Sequence, residues 1–240
     1  MSFEPRALLF DTFGTVVDWR GSIIGAGERL AQRYRLDEID WGKFADEWRR
    51  EGYIEPIAQI VGGEREWEPV DRLLRHQLEV LLHRHGLDAL EEADRLELSG
   101  LWRRLTPWPD AVAGLTRLKQ RYIIGPLSNG GFALLTEMAK AVSLPWDCII
   151  SAELFRAYKP SPAVYLGAAS MLELPPARVM LVAAHPQDLD AAKACGMQTA
   201  HVPRPLEWGP VATPSDPGNL ATRFDLVAQN FLDLADILGG

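Results

Sequence analysis

Six short apolar runs, most of them stopped by a polar or turn-forming residue, constrain this chain more than any other feature. They are Ala7–Phe10, Tyr122–Leu127, Cys148–Ser151, Val179–Ala183, Thr199–Val202 and Phe224–Val227. Ala7–Phe10 and Val179–Ala183 are apolar at every position rather than at alternate ones. A strand of that kind is covered on both faces, as in a parallel sheet flanked by helices.

Helical patterns fill the spaces between the later runs. They cover Ala111–Gln120, with Asp110 as the N-cap, then Phe132–Val142 and Pro162–Leu172. Ser161 and Pro162 occupy the cap and first-turn positions of the third. Leu189–Cys195 follows, with Asp188 read as its N-cap and Gly196 as its stop, and Asn230–Leu238 closes the chain. Strand alternating with helix predicts an α/β fold, a doubly wound Rossmann-like parallel sheet.

Residues 18–105 break the rhythm. Ile23–Tyr34, Trp41–Tyr53, Val70–His85 and Ala89–Leu105 all read as amphipathic helices. A helical insertion placed directly after the first strand sits over the strands' carboxyl ends, where open α/β sheets bind ligands. The expected organisation is a core domain of residues 1–17 and 106–240 with a helical cap domain of residues 18–105. A Pro/Gly-rich stretch, 203–222, is either a surface excursion or a wall of the site.

The chain has 240 residues, 47% of them hydrophobic, which suffices for one full core and a smaller second unit. The formal net charge of −8 argues against nucleic acid or an anionic membrane as partner, so a carboxylate substrate needs a local cationic pocket. Cys148 and Cys195 have neither metal-like nor redox-like spacing. No signal-peptide pattern and no apolar run of the roughly 18–20 residues that span a bilayer is present, so a cytoplasmic protein is expected.

Four polar groups follow four different strands. Asp11 ends the first and precedes the turn Phe13-Gly14-Thr15, which suits a nucleophile or a metal ligand. Ser128-Asn129 ends the second and offers a hydroxyl, an amide and backbone N–H groups to an anion. Lys159-Pro160 carries an ammonium able to neutralise a buried carboxylate, with Tyr165 six residues on. Asp188 follows the fourth through Ala184-His185-Pro186-Gln187. Singly each is an ordinary turn or cap residue; their convergence at strand ends is what an active site requires.

The ordered set Phe10-Asp11-Thr12-Phe13-Gly14-Thr15, Leu127-Ser128-Asn129-Gly130, Tyr158-Lys159-Pro160 and Asp188 resembles the haloacid dehalogenase superfamily over nearly the whole chain. Phosphatases of that superfamily carry a second aspartate two residues after the nucleophile, to protonate the leaving alkoxide. Here that position is Phe13, as in the L-2-haloacid dehalogenases (type II). A halide departs without a proton, whereas an alkoxide leaves poorly without one. Trp48-Arg49 resembles the Trp-Arg pair whose arginine reaches into the site of those enzymes, with Arg50 its solvated neighbour.

The resemblance implies hydrolysis of short 2-haloalkanoic acids to 2-hydroxy acids, through an aspartyl ester and without metal or other cofactor. Its partners are the haloacid and the halide, with a homodimer as a family expectation. Asp11 is then the nucleophile and Thr15 fixes its rotamer. Lys159 keeps it ionised, and Asp188 handles the hydrolytic water. Arg49 with Asn129 receives the halide, Ser128 and the Asp11–Thr15 backbone hold the carboxylate, and Phe13 and Tyr165 complete the substrate surroundings. The fourth motif departs from the family: Ala183-Ala184-His185 replaces Ser-Ser-Asn, and Gln187 replaces an aromatic residue. His185 is therefore either structural or part of the site. A Mg²⁺-dependent phosphatase and a catalytically silent binding protein on the same fold are the alternative readings.

Overall fold

The computed structural model describes residues 4–36, 38–210 and 217–239. Its main sheet contains β1 (Ala7–Phe10), β4 (Ile123–Ser128), β5 (Ile150–Ser151), β6 (Val179–Ala183), β7 (Gln198–His201) and β8 (Leu226–Val227). All neighbours are parallel, in the order β5-β4-β1-β6-β7-β8. Both β1 and β6 are buried along their whole length, which is why every one of their positions is apolar.

The strand order explains where a site must lie. From β1 the chain runs outward through β4 to β5, then returns across β1 to build β6, β7 and β8 on the other side. That reversal makes β1 the topological switch point, and the connections diverge to leave a crevice at its carboxyl end. Asp11 is the first residue past that end, and Asn129 and Ala184 follow β4 and β6, which flank it.

The insertion is helical: α1 (Trp19–Tyr34), α2 (Trp41–Arg49), α3 (Glu55–Val61), α4 (Val70–Arg84) and α5 (Glu92–Ser99). Its entry and exit strands, β2 (Val17–Asp18) and β3 (Thr106–Pro107), pair antiparallel with each other. The helix expected over Trp41–Tyr53 widens after Arg49 into a π-helical turn, Arg50–Ile54, before α3. Such turns are frequent at functional sites, and this one carries Tyr53. An aromatic cluster joins the insertion to the first turn of the core. Phe13 packs edge-on against Tyr53 and Trp102, each with ring centroids 5.5 Å apart, and Trp48 packs on Trp102 at the same separation. A hydrogen bond from Trp48 Nε1 to the Leu74 carbonyl fixes α2 against α4.

The core helices are α6 (Ala111–Leu118), α7 (Phe132–Ala141), α8 (Pro162–Met171), α9 (Pro186–Ala194), α10 (Pro217–Arg223) and α11 (Phe231–Leu238). Two of three expected N-cap positions hold, Asp110 before α6 and Ser161 before α8, though neither side chain caps its helix, and the third is corrected. Asp110 precedes α6, but its carboxylate holds Arg204 and the Phe231 N–H instead of the α6 amides. Ser161 makes no side-chain cap bond to α8. The last of these concerns α9, which begins at Pro186 and not Leu189, so Asp188 lies in its first turn and is no N-cap. Of the Pro/Gly-rich stretch, residues 203–210 are described and residues 217–222 belong to α10, while Pro214 lies outside the described residues.

Trp102 is 1% exposed and touches Phe13, Trp48 and Tyr53. Trp102→Ala should therefore lower unfolding stability by about 3–5 kcal/mol, the usual cost of an aromatic-sized cavity, as read from a denaturant titration.

Candidate active site

Four strand ends deliver their polar residues to one cluster. Asp11 is 7% exposed, and its backbone N–H is held by the Val182 carbonyl on the neighbouring strand. Lys159, 8% exposed, donates from Nζ to Asp11 Oδ1 at 3.0 Å and to Asp188 Oδ2 at 2.5 Å. Tyr165 donates its hydroxyl to Asp188 Oδ1 at 2.6 Å, so it acts on Asp188 and not directly on Lys159. Thr15 Oγ1 donates to Asp11 Oδ2 at 2.7 Å and accepts from the Ala184 N–H at 3.0 Å, which ties the Asp11 rotamer to the fourth motif.

Asn129 and Ser128 do different work from each other. The Asn129 amide grips the Lys159 backbone, accepting from its N–H at 2.7 Å and donating to its carbonyl at 3.3 Å. It also lines the cavity in front of Asp11. Ser128 is fully buried behind it, with Oγ accepting from the Gly130 N–H at 3.1 Å, and lies outside the cavity lining. Phe13 is likewise outside that lining; it forms the floor beneath Tyr53.

The cavity has a volume of about 270 Å³, the scale of a small organic acid. Asp11, Lys159, Asp188, His185 and Arg49 supply its charge; Tyr53, Ile54, Ile57 and Trp208 supply its apolar walls. Arg49 comes from the last turn of α2 and is 6% exposed. Its guanidinium carbon lies 4.0 Å from the Tyr53 ring centroid and 5.5 Å from those of Phe13 and Trp19. The Nε and Nη1 atoms have no hydrogen-bond partner among the described residues. A buried guanidinium supported by aromatic faces, with no carboxylate of its own, is a seat for an anion.

His185 is a member of the cluster. Its Nδ1 faces Asp11 Oδ2 at 2.9 Å, and its Nε2 faces Glu207 at 3.0 and 3.1 Å. Glu207 is 4% exposed and also accepts from Trp19 Nε1 at 3.0 Å. Glu207, Trp208, Ile54 and Ile57 are site residues that sequence reading missed; for the first two the signal was the Pro/Gly-rich stretch offered as a possible wall.

These contacts set the charges. Burial raises the Asp11 carboxyl, but the Lys159 ammonium, His185 and Thr15 outweigh it and hold Asp11 well below the usual carboxylate range. Burial likewise depresses Lys159, and the charges of Asp11 and Asp188 override it, leaving the ammonium firmly protonated. For His185, burial again acts downward, yet bonding to Asp11 and Glu207 pushes it up to about 10. Burial, then the Asp188 charge, raises the Tyr165 phenol, which stays a donor. His201 nearby is lowered, mainly by burial, and bonds the Ala184 carbonyl.

Comparison with known proteins agrees with this geometry. A family model described as haloacid dehalogenase-like hydrolase matches residues 5–196. An (S)-2-haloacid dehalogenase 4A of Burkholderia cepacia is 28% identical over 240 residues, covering 94% of this chain and 96% of that one. Among solved structures, a defluorinating L-2-haloacid dehalogenase is 43% identical with a TM-score of 0.90 and complete mutual coverage. A second L-2-haloacid dehalogenase is 42% identical with a TM-score of 0.87, covering 98% of this chain and 99% of that one.

His185 yields a pH prediction. Its folded pKa is raised above the unfolded value, so its contribution to stability is complete below about 6.5 and is lost as pH rises toward about 10. The wild type should therefore lose stability relative to His185→Leu across that window, measured as the difference in Tm at each pH.

Proposed function

The chain belongs to the haloacid dehalogenase-like hydrolases, among the L-2-haloacid dehalogenases, and we propose on that footing that it hydrolyses short (S)-2-haloalkanoic acids to 2-hydroxy acids and halide. The observation that carries the reading is the buried Arg49 guanidinium, its Nε and Nη1 without a hydrogen-bond partner among the described residues, in the same cavity as an ionised Asp11. One group attacks carbon and the other receives what leaves.

Asp11 attacks C2 in line with the carbon–halogen bond, which inverts the centre and leaves an aspartyl ester. The substrate carboxylate lies against the turn after β4, where Asn129 lines the cavity and Ser128 supports the turn from behind, its Oγ accepting the Gly130 N–H. Arg49 and the remaining Asn129 N–H take the departing halide. Donors aimed at the place where charge develops, in a water-poor cavity, account for large rate effects.

Water then adds to Cγ of the ester while Asp188 takes one of its protons. The Cγ–ester oxygen bond breaks, and the departing alkoxide takes a proton from Lys159, which Asp188 restores. The regenerated Asp11 carboxyl loses its remaining proton to solvent. Tyr165 keeps Asp188 aimed throughout.

The Phe13 ring, packed edge-on against Tyr53 and Trp102, can neither protonate an alkoxide nor ligate a metal, which weighs against the phosphatase reading. Two unpaired cysteines, Cys148 and Cys195, fit a reducing cytoplasm.

Halide release from 2-chloropropionate tests the proposal, and it should proceed equally in excess EDTA. Asp11→Ala should be inactive, and Arg49→Ala should lose roughly 100–1,000-fold in kcat. A phosphatase would instead stop on chelation and release no halide. A single turnover in heavy-oxygen water, with enzyme in excess, should label Asp11 and leave the hydroxy acid unlabelled.

A further inference from the structure

The Asp11 carboxylate is asymmetrically solvated by protein. Oδ2 accepts from both Thr15 Oγ1 at 2.7 Å and His185 Nδ1 at 2.9 Å, whereas Oδ1 accepts only from Lys159 Nζ at 3.0 Å among the described residues. An ionised carboxylate oxygen has about two lone-pair sites. Both on Oδ2 are engaged, so Oδ1 keeps a free lone pair and is the attacking atom. Oδ2 then becomes the carbonyl oxygen of the ester, with its two donors already in place.

His185 faces a carboxylate at each ring nitrogen, and carboxylates only accept. Both nitrogens must therefore carry protons, and the ring is an imidazolium. Glu207 is the group that holds it there, and Glu207 is itself firmly built in. Its carboxylate accepts from Trp19 Nε1 and lies against Gly14, where a Cβ would fall 2.0 Å from Glu207 Oε1. Gly14 also has φ +88°, in the left-handed region, so the turn behind the nucleophile tolerates glycine on both counts. The loop bearing Glu207 is pinned by Arg204, which pairs with both oxygens of Asp110 at 2.6 and 2.9 Å and donates from Nε to the Thr15 carbonyl at 2.9 Å.

We propose that His185 is a catalytic oxyanion donor for hydrolysis of the aspartyl ester, that Glu207 is its positioning residue, and that the pair serves this second half-reaction far more than the first. The proposal rests on the dehalogenase reading. When water bonds to Cγ, the carbonyl electron pair moves onto Oδ2, where the imidazolium and the Thr15 hydroxyl stabilise it. The pair then returns to re-form the carbonyl, the Cγ–Oδ1 bond breaks, and Oδ1 leaves in the product with a proton from Lys159. His185 keeps both protons throughout. In the first half-reaction Asp11 gives up charge, so donors on Oδ2 do not assist it.

The test separates the two steps within one sample, which removes folding from the readout. Enzyme in excess is mixed with (S)-2-chloropropionate and acid-quenched over time; free chloride reports alkylation, and intact-protein mass reports the ester. The wild type should show little ester. In His185→Leu the ester should accumulate and its breakdown slow by about 100–1,000-fold, the usual effect of losing an oxyanion donor, while the chloride burst persists. Glu207→Gln should accumulate ester to an intermediate extent. Chloride release slowed in step with ester breakdown in both variants, or no ester in either, would overturn the role of the pair. A wild type that releases no chloride overturns the dehalogenase reading beneath it.

Discussion

One ammonium group held between two buried carboxylates governs the chemistry of this protein. Lys159 Nζ bonds Asp11 on one side and Asp188 on the other. Charges taken out of water persist only when paired and hydrogen-bonded, and removing one partner of such a set commonly costs about 3–5 kcal/mol. The site meets that demand with groups from separate parts of the chain: Asn129 grips the Lys159 backbone, Tyr165 occupies the second oxygen of Asp188, and Thr15 and His185 occupy Oδ2 of Asp11. Asp11 is thus held ionised and hydrogen-bonded through both carboxylate oxygens. Its position past β1, where the strand order reverses, is what lets residues from β4, β5 and β6 reach it.

Arg49 contrasts with this arrangement. It is equally buried, yet it rests on aromatic faces and not on a carboxylate. Its seat depends on the cluster of Phe13, Tyr53, Trp48 and Trp102, which ties the helical insertion to the first turn of the core. Phe13 therefore has two consequences at once: it puts an apolar ring where a carboxyl could stand, and it supports the Arg49 guanidinium.

Much of this was legible in the sequence, for physical reasons that also mark its limits. Continuous apolar strands end abruptly, so β6 was read to the residue and β1 likewise. The strand-end positions of Asp11, Asn129 and His185 followed from those ends. Cap positions were legible at Asp110 and Ser161, but what a side chain binds was not: a distant charge competes with the local amides, so Asp110 is captured by Arg204, and Asp188, expected as a cap, by Lys159 and Tyr165. Glu207 was invisible because nothing local marks it. It lies 22 residues beyond His185 in a stretch without periodicity, and only tertiary packing brings the two together. The helix over Trp41–Tyr53 had the right period, but no pattern of apolar spacing announces the wider turn that follows Arg49.

The pairing of β2 with β3 means that the insertion leaves and re-enters the core through one narrow stem. Topologically it is a side branch: the sheet could be traced without it by joining two backbones already in hydrogen-bond contact. Closing a loop whose ends are held together carries little further entropic penalty as the loop lengthens, since that penalty grows only logarithmically. A change in the length of the branch therefore costs the sheet little, but the branch also carries Arg49, so exchanging it would remove one cation of the cavity while leaving Asp11, Lys159 and Asp188 in place.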